Sequence, residues 1–344
     1  MKGTAIILGQ IDGRAVAARL IDGRLEDLAV EHDGIAPGAI LRGVVGRPMK
    51  GLGGVFVDLP GGARGFLRQP KGLAPGQPVL IQCAGVAEPG KAVPLSLRLL
   101  FKSRYAIVTP GAPGLNISRQ IRDPAQRDAL SDLAGRVMDG APDDLGLILR
   151  SICAEAPPKE IAEDAAQMRT LAEAVLADVQ GAPELLVDAP DPHALAWRDW
   201  GTADCVDDSE GALDHHGVRD QIAALLRPEV ALGAGASMAI EPTRALVAVD
   251  VNTGADTSPA AGLKAGIAAA RELPRQLRLR GLGGQVVVDF APCPKKDRAI
   301  VEQTLRKAFR PDGQDATLAG WTPLGNFELQ RRRDRAPLAA WLAS

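Results

Sequence analysis

Two apolar runs, each closed by an aspartate, constrain this chain more than any other feature. Ala245-Leu246-Val247-Ala248-Val249-Asp250 and Gln285-Val286-Val287-Val288-Asp289 read as strands, and residues 261–280 between them read as a helix. Continuous apolar runs of this kind are typical of strands covered on both faces. A β–α–β order with its right-handed crossover makes the two strands parallel. Parallel strands end at one rim of the sheet, and ligands bind beyond their carboxyl ends. The sequence therefore predicts that Asp250 and Asp289, 39 positions apart (289 − 250), bring two carboxylates to the same edge. Asn252 follows Asp250 by two positions and shares its face if the strand continues that far. Two carboxylates and a carboxamide are hard oxygen donors that suit Mg²⁺, which completes its shell with water and substrate phosphate. Such an ion would polarise a phosphodiester oxygen and acidify a bound water. The plainer alternative is that each aspartate only caps a loop or a helix.

Upstream, residues 4–30 read as a β-hairpin and a further strand, with Asp12-Gly13 and Asp22-Gly23 as turns. From Gly38 onward short strands punctuated by glycine (39–45, 54–59, 64–67, 77–82) predict a small closed β-barrel. Between 105 and 178 the spacing predicts a strand at 105–109, a helix near 123–138, a strand at 146–150 and a helix over 158–179. A strand at 184–187 follows, and the Asp/Pro/Gly-rich stretch 188–215 reads as irregular. The expected fold class is α/β, built from several domains. Pro274 falls inside the helix between the two aspartate strands and is expected to interrupt and kink it.

Composition limits how such a chain could meet nucleic acid. The net charge is −2, so bulk positive charge is excluded and phosphates must be met by local patches. Arg331-Arg332-Arg333-Asp334-Arg335 is one such patch, and equally a solvated helix end. Lys295-Lys296 and the arginines of 271–280 are phosphate contacts or solvated faces, and His215-His216 read as surface residues. Aromatic residues are only 3% of the chain, so any base-stacking surface rests on few rings. Cys83, Cys153, Cys205 and Cys293 lack the C-x₂-C spacing of a zinc site and suggest no disulfide scaffold. With neither a signal-peptide core nor a run approaching ~20 apolar residues, the expected location is the cytoplasm, without a membrane partner.

The motifs then become recognisable. Thr243 to Gly254, which contains Asp250 and Asn252, is similar to the catalytic strand of the ribonuclease E/G family. Arg275 to Gly284, running into Val286-Val287-Val288-Asp289-Phe290, resembles the family's second signature. Gly54 to Asp58 and Arg64 to Leu67 resemble its inserted S1 barrel, Gly146 to Ser151 its reader of the RNA 5′ end, and Leu324 to Arg331 the segment that closes its catalytic unit. The resemblance implies an S1/OB-type β-barrel inserted in a ribonuclease-H-like and DNase-I-like catalytic scaffold. The implied boundaries are 1–34 (first ribonuclease-H-like part), 35–104 (barrel), 105–178 (5′ sensor), 179–226 (reduced second ribonuclease-H-like part) and 227–344 (catalytic). It implies that Asp250 and Asp289 coordinate Mg²⁺ and that Asn252 holds Asp250 or touches the scissile phosphate. The activity implied is hydrolytic cleavage of single-stranded RNA that leaves a 5′-phosphate. Phe56 and Phe66 match the rings on which bases stack, Lys91 a basic contact in the same barrel, and Arg150 with Ser151 the pair that binds a 5′-monophosphate.

The chain also departs from that pattern. No paired-cysteine zinc link occurs before Ser344, so a zinc-bridged dimer is not expected, while a homodimer of another kind stays open. Arg244 stands where an acid is expected and Asp315 where a basic residue is common. Serine replaces threonine at 151 but keeps the hydroxyl donor. The competing function is a non-catalytic S1-type RNA-binding protein on a degenerate scaffold; against it stands the retained Asp250/Asn252/Asp289 set. A third, nucleotide binding through Gly51-Leu52-Gly53-Gly54, lacks the strand–loop–helix context that such a loop needs.

Overall fold

The computed structural model describes residues 2–49, 51, 53–68, 72–88, 90–310 and 316–343. Asp315 and Leu52 lie outside the described residues. The chain forms two units: residues 1–31 with 203–344, and the inserted residues 32–202.

The first unit opens with an antiparallel meander of β1 (Thr4–Ile11), β2 (Arg14–Ile21) and β3 (Arg24–Val30). Its turns are the expected pairs: Asp12 and Asp22 sit at φ 51°, Gly13 at 78° and Gly23 at 77°. Two successive left-handed residues give the turn whose twist matches that of the flanking strands.

The second unit begins with β4 (Ile40–Met49), β5 (Gly54–Asp58), β6 (Arg64–Arg68), β7 (Pro78–Cys83) and β8 (Val93–Ser96). β4 is long enough to pair with β5 through its second half and with β7 through its first. β8 bridges β6 and β7 and closes a five-stranded barrel, consistent with an OB-type fold. Alternation puts Leu41, Val45, Val55, Val57, Leu67 and Ile81 inside. A second sheet follows, of β9 (Phe101–Lys102), β10 (Ala106–Pro110), β11 (Gly114–Ile117) and β12 (Leu145–Leu149), with strand order β11-β12-β10-β9. Helices α1 (Pro124–Val137) and α2 (Pro158–Ala177) share its core, Leu130 and Leu133 with Val108, Leu147, Ile161 and Ala165. β13 (Glu184–Val187) then adds to β4, where buried Arg42 ties Asp178 at 2.6 Å and also Glu184.

The stretch 188–215 is not irregular. Asp191 caps α3 (Pro192–Asp199) by accepting from the Ala194 N–H. An Asp-Pro pair reads as a turn, yet it is also the cap and first position of a helix, and here the helix wins. Back in the first unit, β14 (Cys205–Asp207) runs parallel to β1. Helices α4 (Ala212–His215) and α5 (Val218–Leu225) bring Leu213, Val218 and Ile222 against Ile7, Val16 and Leu20.

The rest of that unit is a six-stranded sheet of β15 (Glu229–Gly233), β16 (Ala236–Pro242), β17 (Val247–Asn252), β18 (Gly284–Asp289), β19 (Ala316–Trp321) and β20 (Phe327–Arg331). Its order is β15-β16-β17-β18-β20-β19, and the β17–β18 pair is parallel as expected. Helices α6 (Ala261–Leu279) and α7 (Lys295–Phe309) cover one face, packing Leu273, Leu277, Val301 and Leu305 on Val249, Val286 and Val288. The expectation that β17 and β18 are buried on both faces fails. Ala248 and Val287 are half-buried, and Asp250, Asn252 and Asp289 on their face are exposed. An apolar run contains small residues that tolerate partial exposure, so it does not by itself report a second covering layer.

α6 runs unbroken through Pro274, so the proline does not interrupt it; the ring is buried against the core and one backbone bond is forgone. The last described element is α8 (Leu338–Ala343). The glycines of Gly281-Leu282-Gly283-Gly284 are there for close approach. A side chain at 281 would strike the Ala336 carbonyl, and at 283 that of Arg332. Among the described residues no helix is long and apolar enough to cross a membrane.

Candidate active site

Asp250 and Asp289 are register partners at the ends of β17 and β18. Register partners on adjacent parallel strands point to the same face, with backbones about 4.8 Å apart. Asn252, two residues further along β17, donates from Nδ2 to Asp250 Oδ2 at 2.7 Å. The bond fixes one carboxylate rotamer and leaves the other Asp250 oxygen and both Asp289 oxygens toward the open face. Neighbouring strands extend this surface. Glu241 is the partner of Ala248 and Glu328 that of Val287, so two more acids occupy the next row of the same face. The alternation Phe327 in, Glu328 out, Leu329 in, Gln330 out was readable, but which strand lies beside β18 was not.

This donor set fits a hard divalent cation. Two adjacent exposed carboxylates repel each other and attract one small dication, and Mg²⁺ asks for no more than one or two protein carboxylates. Among the described residues no three His, Cys, Asp or Glu gather as a denser cage. Lys295 and Lys296 are exposed in the first turn of α7, which follows β18 after a short loop.

On the barrel, Phe56 and Phe66 are partners on β5 and β6, with ring centroids 5.4 Å apart in an edge-to-face arrangement. Their neighbours Val55, Val57 and Leu67 fill the barrel, so both rings stand on its outside, half-buried. Gly54 makes room: a Cβ there would collide with the Phe66 ring. Lys91 lies in the loop entering β8 and pairs with Glu88 at 2.9 Å.

Arg150 is not an open fork. Its Nη1 donates to the carbonyls of Ser103 (2.6 Å), Arg104 (3.1 Å) and Arg198 (2.8 Å), and Nη2 meets Asp199 at 2.9 Å. Lys102 and Arg198 meet the same carboxylate, at 2.8 and 2.9 Å. Burial pushes the Asp199 carboxyl up, but Arg198 and Lys102 outweigh it and hold it below the usual carboxylate range. Ser151 opens the short 3-10 turn that follows, with its side chain half-buried. With Nη1 on three carbonyls and Nη2 on Asp199, Arg150 fastens β12 to the 103–104 turn and to the end of α3. Arg150→Ala is therefore expected to lower the unfolding free energy by about 2–3 kcal/mol. A urea midpoint equal to that of the parent chain would show the side chain to be dispensable to the fold.

Other candidates resolve into structure. Arg275 and Arg278 donate to the carbonyls of Leu25 and Glu26, and Arg280 to the Gln276 side chain at 3.1 Å, so these arginines are packing contacts. Arg331 is buried and donates to the Leu282 carbonyl, and Arg335 binds Asp27, so only part of the 331–335 cluster faces solvent. His215 is exposed, whereas His216 Nε2 lies 2.7 Å from Asp207 Oδ2. Hydrogen bonds from Ser209 and His216 hold the Asp207 carboxyl down at about 2. Burial pushes the Cys153 thiol up to about 11, which removes it as a nucleophile near neutral pH.

The ribonuclease E/G family model matches residues 101–208 and 201–334, a span that holds Arg150, Asp250, Asn252 and Asp289. The chain belongs to the ribonuclease E/G family. It is 30% identical to a protein named Ribonuclease E from Nostoc sp. (strain PCC 7120), over 92% of this chain and 54% of that one. It is 27% identical to Ribonuclease E of Synechocystis sp. (strain PCC 6803), over 92% of this chain and 55% of the relative. Ribonuclease G of Escherichia coli (strain K12) is 25% identical, over 96% of this chain and 80% of its own length. The chain thus spans about half the length of the two Ribonuclease E proteins.

Proposed function

We propose that this chain is a Mg²⁺-dependent endoribonuclease that cleaves single-stranded RNA in cytoplasmic RNA processing or decay, leaving a 5′-phosphate. The observation that carries the proposal is the side-by-side register of Asp250 and Asp289 on an open sheet face, with Asn252 holding one of them. We read that sheet as the DNase-I-like part and the β1–β3 sheet as a reduced ribonuclease-H-like part.

Asp250 and Asp289 would hold the cation. A divalent ion bound there would supply Lewis acidity toward a phosphodiester oxygen and offset the charge of the two aspartates, which would otherwise repel the RNA backbone. Asn252 keeps Asp250 in one rotamer, so that the oxygen pair need not reorganise. Lys295 and Lys296 attract phosphates beyond the end of β18. Phe56 and Phe66 offer the outer face of the barrel as a stacking surface, worth roughly 1–3 kcal/mol per base and indifferent to sequence.

The deciding experiment uses the full chain with a short fluorescent 5′-phosphorylated RNA, in Mg²⁺ and in excess EDTA. Cleavage in Mg²⁺ that stops in EDTA is expected. Cleavage that persists in EDTA would remove the cation from the reaction. Binding without cleavage in Mg²⁺ would make the chain a non-catalytic RNA-binding protein on a nuclease scaffold.

A further inference from the structure

The second unit exposes one tryptophan in a setting that neither the barrel rings nor the aspartate pair uses. Trp197, on α3, is 65% exposed, while Trp200 and Trp341 are buried and Trp321 packs on Phe290 and Phe327. One face of the Trp197 ring carries the Arg104 guanidinium, whose Cζ lies 3.9 Å from the ring centroid. Arg104 is anchored in that position by donating to the Trp197 carbonyl. At such exposure, a ring covered on one side presents its opposite face to solvent.

The charge beside it is unbalanced. Lys102, Arg150 and Arg198 all converge on the single carboxylate of Asp199, and Arg104 adds a fourth cation. On the α2 side Asp164 accepts from the Ser103 hydroxyl and Glu160 from the Tyr105 hydroxyl, which leaves the surplus at the α3 end. Lys102 spends one of three N–H groups on Asp199 and stays about one-third exposed. A ring bordered by a surplus of cations suits a polyanion whose own planar groups can stack.

We propose that Trp197 backed by Arg104 is a stacking platform for one base of single-stranded RNA, with Lys102 and Arg198 meeting a neighbouring phosphate. It rests on the RNA-binding reading above and adds a contact separate from Phe56 and Phe66. Any base can stack on such a ring, so the platform adds affinity without sequence preference.

The test measures binding of the full chain to a fluorescein-labelled, 5′-hydroxyl single-stranded RNA decamer in EDTA, which prevents cleavage. Trp197→Ala is expected to weaken binding by roughly five- to a hundredfold, and Trp197→Phe to retain most of it. Unlabelled RNA should quench part of the tryptophan emission of the parent chain, and that part should vanish in Trp197→Phe. Coincident thermal melts of Trp197→Phe and the parent chain keep misfolding out of the comparison. Parent-like affinity in Trp197→Ala, with equal quenching in Trp197→Phe, overturns the platform while RNA binding stands. A parent chain that does not bind the decamer overturns both readings.

Discussion

Asp250→Asn or Asp289→Asn is expected to cut Mg²⁺-dependent RNA cleavage by about a thousandfold or more while leaving the fold intact. Several kcal/mol of charge stabilisation come from a bound divalent ion, and each 1.36 kcal/mol is tenfold in rate. Each variant removes one carboxylate of the register pair. The opposite sign is expected for stability. Two carboxylates on neighbouring strands, about 5 Å apart in water, repel by about 0.8 kcal/mol. In EDTA, each variant should therefore unfold at the same temperature as the parent chain or slightly above it. A site that gains stability and loses activity on the same substitution serves function rather than folding. Parent-like cleavage by either variant would dismiss the aspartate pair. A large drop in the melting temperature in EDTA would show that the pair is structural instead.

Asp27→Ala is expected to cost about 3–5 kcal/mol of unfolding free energy, because removing one member of a buried ion pair strands the other. Asp27, on β3, accepts from Arg335 Nη1 at 2.5 Å, and Arg278 Nε lies 3.9 Å away. Arg335 also donates to the Leu28 carbonyl, so the pair fastens the tail after β20 onto the opening meander. Burial pushes the Asp27 carboxyl up, but Arg335, Arg278 and Arg19 outweigh it and hold it below the usual carboxylate range. A carboxyl depressed on folding contributes stability above its unfolded pKa, near ~3.9, and loses it as pH falls through the folded value. The contribution is thus full from about pH 5 upward and fades in acid. Urea melts at pH 7 should show the deficit of Asp27→Ala, and melts near pH 3 should show it shrunken. A deficit of the same size at both values would mean that packing, not charge, is what the aspartate supplies.

Four strands of the barrel were legible because β5, β6 and β7 alternate and glycine marks the turns, both local properties. The short β8 was not foreseen and is defined by its pairing with β6 and β7. The parallel β17–β18 pair was legible for the same reason: two apolar runs and one helix leave a single favoured handedness. α3 was missed because Asp191-Pro192 carries the same residues as a turn, and only packing of Ala196 and Trp200 decides for the helix. Arg150 was visible as an arginine at a strand end. That its guanidinium closes on three carbonyls depends on segments almost 50 residues away in either direction.

The sequence by itself determined where four strands of the barrel and the aspartate pair fall, since hydrophobic period and turn chemistry act within a few residues. Tertiary structure alone decided which face of the last sheet stays open, which arginines are consumed in packing, and that Trp197 stands in water on a guanidinium. Exposure and charge pairing are set by neighbours brought from far along the chain, and no local pattern encodes them.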